Sequence, residues 1–128
     1  MSDNKTIAKL KLEKAKFLLS EIIVLMEHKF YNNVIARLYY SCFYATQALL
    51  LLQNFIPKTH KGVISLLNEH LVQTGLFDLD KAAFFSRLFN ERILDDYNEF
   101  LIMDEDEVSD FIEPAKEYVA YIENIFKQ

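Results

Sequence analysis

The chain has 128 residues, more than half of them apolar, with 11 Phe and 7 Tyr. That is one domain's worth of chain with ample material for a core. A net charge of −5 argues against a general nucleic-acid binder, which carries a basic excess, and the two isolated glycines, Gly62 and Gly75, exclude a glycine-rich phosphate loop.

The polar start, Met1-Ser2-Asp3-Asn4-Lys5, opens an amphipathic helix and does not read as a secretory signal. Spacing predicts a first helix over Asn4–His28, with Ile7, Leu10, Lys14, Phe17, Leu18, Ile22 and Leu25 on the apolar side. Lys9, Lys11, Lys16 and Glu21 supply its wet side. Tyr31-Asn32-Asn33 is a break, and either asparagine is a candidate cap. A second helix follows over Asn33–Gln53, apolar nearly all round, as befits a helix enclosed by others. Val34–Ile56 has the length of a membrane span, but Arg37, Ser41, Thr46, Gln47 and Gln53 are spread along it. The cost of such groups in lipid favours a central buried helix and no membrane.

Asn54–Lys58 is a connection with Pro57 as its stop signal, and Thr59 then caps a third, shorter helix, His60–Thr74. Val63, Leu66, Leu67, His70 and Leu71 form its stripe, and Gly75 is placed to close it. A fourth helix starts at Asp78 or Asp80 and runs to Tyr97, with Ala82, Phe85, Leu88, Phe89, Arg92 and Asp96 on one face. Residues 98–103 declare no element. Asp104 with Glu107 is a capping box for the last helix, on which Val108, Phe111, Ile112, Ala115, Tyr118, Val119, Ile122 and Phe126 share a side. The pattern stays in phase across Pro114, predicting a kink or a fresh start there. With no strand signal, repeat or linker, the expected fold is all-α: an antiparallel up-and-down bundle of about five helices, forming one domain over residues 1–128.

Metal chemistry finds little support. His28, His60 and His70 lack chelating spacing, and Asp104-Glu105-Asp106-Glu107 reads as a helix start, without the glycine and alternation of a calcium loop. No metal site and no cofactor are expected. The single Cys42 lies among aromatics, reads as a small core residue and fits a cytoplasmic location.

The arginines carry the functional signal. Arg37 shares a helix side with Tyr40, Ser41 and Tyr44. One reading buries it against tyrosine and pairs it with a carboxylate from another helix, Asp95 or Asp96 being natural partners. The other lines a pocket for phosphate or RNA. Arg92 reaches Asp95 or Asp96 on its own helix. Tyr97 lies about 140° further around a regular helix, so a joint site needs the helix to end between them or a second subunit to complete it. His60-Lys61 at a helix N-terminus forms a positive patch suited to anions, or simply the exposed start of a capped helix.

The string Arg37-Leu-Tyr-Tyr-Ser-Cys-Phe-Tyr-Ala, then Lys58-Thr59-His60-Lys61-Gly62, then Arg92-x-x-Asp95-Asp96-Tyr97 and an amphipathic last helix resembles the HEPN domain family over about residues 8–126. The nearest likeness is to its small stand-alone prokaryotic branch. The resemblance implies a helical bundle that commonly forms homodimers and partners a minimal nucleotidyltransferase. Many such proteins are metal-independent ribonucleases acting as toxins in toxin–antitoxin or defence systems, through an Arg-x(4–6)-His motif. Arg92 matches that arginine; Tyr97 stands where the histidine is expected. A tyrosine, with an ordinary pKa near 10, is a weak base at neutral pH, and His60 is one source of an imidazole from elsewhere in the fold. The candidate catalytic residues are thus Arg92 and Tyr97, and the candidate ligand-binding residues are Arg37, Tyr40, Tyr44, His60, Lys61 and Asp96. Three functions stand open: a nucleotide- or RNA-binding or interaction module working with a nucleotidyltransferase, a ribonuclease toxin with a variant Arg-x(4)-Tyr motif, and a structural helical adaptor.

Overall fold

A computed structural model describes residues 2–97 and 102–127, with side chains for all of these except residues 2 and 95–97. It contains α1 (Ser2–Ser20), α2 (Ile22–Glu27), α3 (Tyr31–Leu52), α4 (His60–Leu67), α5 (Leu79–Tyr97) and α6 (Glu105–Phe126), and no strand among the described residues. A π-helical turn, Asn68–Val72, extends α4. Because α1 and α2 follow one another with only Glu21 between, the chain forms five helical units.

The apolar helix α3 runs through the centre, with Val34, Ile35, Leu38, Tyr39, Cys42, Ala45, Ala48 and Leu50 essentially out of water. Cross-links between helices give their senses. Asn4 bonds Asn54, Lys11 bonds Gln47, the Ala15 carbonyl takes the Ser41 hydroxyl, and Glu21 meets Arg37, so α1 lies antiparallel to α3. Asn32 with Met103, Cys42 with Ala115 and Thr46 with Tyr118 run in the same order along both segments, making α3 and α6 parallel. Phe77 with Tyr121 and Phe84 with Phe111 set α5 antiparallel to α6. This is the up-and-down bundle expected from the sequence.

The core is not wholly apolar, and its polar members are satisfied. The buried Thr46 hydroxyl donates to the Cys42 carbonyl at 2.7 Å and meets the Tyr118 hydroxyl at 2.6 Å. Burial pushes the Tyr118 phenol upward, partly offset by its bond to Thr46. Cys42 is buried, and burial likewise raises its thiol, so it is a core residue, as the sequence implied. No helix among the described residues is long and apolar enough to cross a membrane.

Several local expectations are corrected. The first helix does not run unbroken to His28: the Ser20 hydroxyl bonds the Phe17 carbonyl and the Glu21 N–H turns back three residues to Leu18, tightening the chain where α1 gives way to α2. Its core face is also rotated from the predicted one. Ala8, Leu12, Ala15, Leu18 and Ile22 are buried, while Ile7, Leu10 and Phe17 face outward. Small alanines let the α1 backbone approach α3 closely enough to bond Ser41. The break precedes Tyr31: Lys29 adopts φ 61°, the Phe30 N–H bonds the Leu25 carbonyl, and neither asparagine serves as a cap. Asn32 instead accepts from the Met103 N–H at 3.1 Å. The capping box Asp104–Glu107 forms as predicted, and α6 continues through Pro114 as one helix.

Candidate nucleic-acid interface

The site is built on the first turn of α4. Thr59 is extended, and its hydroxyl accepts from the Gly62 N–H at 2.9 Å. A Cβ on residue 62 would stand 2.9 Å from that same oxygen, so glycine is the residue that leaves room for the cap. The cap fixes His60 and Lys61 at the positive end of the helix dipole. His60 stacks on Phe43 with ring centres 4.4 Å apart, and its Nδ1 lies 2.6 Å from the hydroxyl of Tyr39. Tyr39 is fully packed, stacking also on Phe85. Burial, then the neighbouring Tyr40, raises its phenol well above the ordinary range, with Arg92 pulling the other way. The phenol therefore stays protonated at neutral pH, and its oxygen is a hydrogen-bond partner for the imidazole.

From α5, Phe89 and Arg92 complete the wall. The Arg92 guanidinium carbon sits 5.6 Å above the Tyr40 ring, a geometry in which the cation is held by the ring face. Tyr39, Tyr40, Thr59, His60, Lys61, Phe89, Arg92 and Ile93 enclose a cleft of about 500 Å³. Two helices, α4 and α5, thus bring a guanidinium, an ammonium and an imidazole to one hollow at a helix N-terminus, beside the aromatic rings of α3. Such a set matches a phosphate flanked by a base.

A second cleft, of about 850 Å³, opens between α1 and α3, lined by Glu13, Lys14, Phe17, Leu18, Glu21, Arg37, Tyr40 and Tyr44. The candidate residues are therefore divided. Arg92, His60 and Lys61 share one cleft, Arg37 and Tyr44 the other, and Tyr40 belongs to both. Arg37 is 44 % exposed and pairs through Nε with Glu21 at 3.2 Å. It is neither buried nor dependent on α5 for this partner, because α1 ends beside it. The side chains of Asp95, Asp96 and Tyr97 lie outside the described residues. The backbone stays helical through Tyr97, so the helix does not end between Arg92 and Tyr97. Tyr39, Phe89, Lys14 and Phe17 are wall residues that sequence reasoning did not select. Among the described residues, no three His, Cys, Asp or Glu side chains gather into a metal-binding group.

The HEPN domain model matches residues 8–125. The chain belongs to the HEPN domain family. Over 127 residues it is 28 % identical to a UPF0332 protein of Thermotoga maritima, covering 99 % of this chain and 96 % of that one. "Putative toxin MJ0605" of Methanocaldococcus jannaschii is 32 % identical over 117 residues, 91 % of this chain and 87 % of the other. "Putative toxin MJ0142" of the same organism is 32 % identical over 87 residues, 68 % of this chain and 59 % of its own length. The helical bundle and Arg92 on α5 thus sit in a HEPN protein, and the two clefts are features to be explained in that context.

Proposed function

We propose that this HEPN protein binds RNA by a phosphate in the Arg92–His60–Lys61 cleft and acts as the toxin-side member of a toxin–antitoxin pair with a minimal nucleotidyltransferase. The carrying observation is the convergence of Arg92, His60 and Lys61 on one cleft, with Arg92 over the Tyr40 ring, in a chain whose net charge is −5. An acidic protein holds such a basic hollow against its own average field, which favours a local anionic ligand over general nucleic-acid coating. The relatives named as toxins support the cellular role. Titration with uridine monophosphate, followed by amide NMR, is expected to shift residues 60–62 and to lose that response in Arg92→Ala. Shifts confined to other helices would count against the reading.

A second reading, metal-independent RNA cleavage, is favoured by the bond between Tyr39 and His60. The family motif has its histidine after the arginine, and this chain has Tyr97 there. His60 brings an imidazole to the same cleft as Arg92. When Nδ1–H donates to the Tyr39 oxygen, the other ring nitrogen carries the lone pair needed to take a 2′-hydroxyl proton, while Arg92 meets charge developing on the phosphate. Total RNA would be incubated in chelator with wild type, Arg92→Ala, His60→Ala and Tyr97→Phe, with and without the nucleotidyltransferase. The expected result is weak cleavage by the protein alone, lost in Arg92→Ala and His60→Ala. Cleavage that survives His60→Ala but not Tyr97→Phe would transfer the proton role to Tyr97.

A further inference from the structure

The two clefts meet at one ring. On one side Tyr40 carries Arg92; on the other it leads, with ring centres 6.3 Å apart, to Tyr44. Lys14 lies 5.2 Å and Lys11 5.8 Å from the centre of the Tyr44 ring. Phe17, 66 % exposed on the outward stripe of α1, lines the same cleft as Lys14 and Tyr44. An exposed phenylalanine in one cleft with two tyrosines, a lysine and an arginine is poorly explained by packing, since Phe17 buries little and α1 already has its core face in Ala8, Leu12, Ala15 and Leu18. Alternating cations and open aromatic faces are what a flexible single strand uses, backbone on charge and bases on rings. The carboxylates do not cancel this. Glu13 lies 3.7 Å from Lys16, and Glu21 meets Arg37 at Nε, which carries one of the five N–H donors of a guanidinium.

We propose that the Phe17–Tyr44–Lys14 cleft is a second nucleotide subsite, so that single-stranded RNA crosses the Tyr40 ring from the Arg92–His60 cleft into the Arg37 cleft. The inference rests on the RNA-binding reading above. It adds the substrate class, a single strand of several nucleotides, and gives Glu21 a function: it occupies Arg37 until a phosphate displaces it.

The test uses fluorescently labelled oligouridylates, a dinucleotide and a hexanucleotide, with the full chain in chelator at fixed salt. Wild type is expected to bind the hexanucleotide far more tightly than the dinucleotide. Phe17→Ala should cost about tenfold in hexanucleotide affinity, the size of one lost base–aromatic stack, and leave the dinucleotide unchanged. Lys14→Gln should lower the salt slope for the hexanucleotide by about one counterion. Glu21→Gln should raise hexanucleotide affinity severalfold, whereas Glu113→Gln, exposed on α6, should not. Equal effects of Glu21→Gln and Glu113→Gln would reduce the gain to net charge and overturn Glu21's role. Hexanucleotide binding that ignores Phe17→Ala would overturn the second subsite and leave the first cleft standing; no binding of either oligonucleotide would remove both. Sedimentation of Phe17→Ala separates the remaining alternative: a shift in oligomeric state would assign Phe17 to contact between copies and overturn the subsite.

Discussion

Single side chains in this protein do two kinds of work, holding a buried polar network and presenting charge at a cleft. Thr46 shows the first. Its hydroxyl is shared between the Cys42 carbonyl and the Tyr118 hydroxyl inside a dry core, so Thr46→Val strands a buried phenol and should cost about 1–3 kcal/mol. Tyr118→Phe in addition should cost little more, giving a favourable coupling in a denaturation double-mutant cycle; additive losses would show that the bond is not formed. The raised Tyr39, Tyr118 and Cys42 groups set the alkaline limit. Each binds its proton more tightly folded than unfolded, so their contribution is complete below the unfolded values, about 8.5 for the thiol and 10 for the phenols, and declines as pH rises beyond them. Stability measured by urea midpoint should therefore fall above about pH 9, and less steeply in Tyr118→Phe. Tyr39 also illustrates what a sequence hides. Its neighbour Tyr40 was selected from a helical spacing to Arg37, but the partner that gives Tyr39 meaning, His60, is 21 residues away on another helix, and no local pattern encodes that contact.

Helix ends and helix faces were legible to different degrees, for a physical reason. Three helices close with a residue at positive φ: Lys29 at 61°, Asn54 at 66° and Gly75 at 80°. In each case the next N–H reaches back five residues, Phe30 to Leu25, Phe55 to Leu50 and Leu76 to Leu71. Glycine announces such a position in sequence, so Gly75 was readable; lysine does not, so the first turn was placed two residues late. Lys29→Gly should relieve the left-handed backbone and stabilise the fold by up to about 1 kcal/mol, seen as a higher melting temperature; a lower one would contradict this account of the turn. The face of α1 was misread because alanine is a weak hydrophobic signal. Ala8 and Ala15 mark the true seam, while the larger Ile7, Leu10 and Phe17 lie outside it. Of these outward residues, Phe17 lines the second cleft. In α6 the large residues do face inward, and there periodicity and structure agree.

For the whole molecule, sparse glycine and proline with sustained helical period were enough to specify the bundle, and the order of three short strings was enough to place it in the HEPN family. The separation of the candidate residues into two clefts joined by Tyr40 follows from the antiparallel register of α1 and α3 and from the crossing of α5, which periodicity alone does not carry. The HEPN resemblance implies symmetric pairing of two copies, and light scattering at micromolar concentration should find a dimer; monomer alone would exclude a site completed by a second subunit. The central claim is that the Arg92–His60–Lys61 cleft holds an RNA phosphate. Its most direct test is the affinity of wild type and Arg92→Ala for a single-stranded RNA in chelator across a salt series, with melting temperatures of both. The account predicts at least a tenfold loss, a salt slope smaller by about one and a melting temperature little changed. Undiminished affinity in Arg92→Ala, or a loss explained by a collapse of its melting temperature, would contradict it.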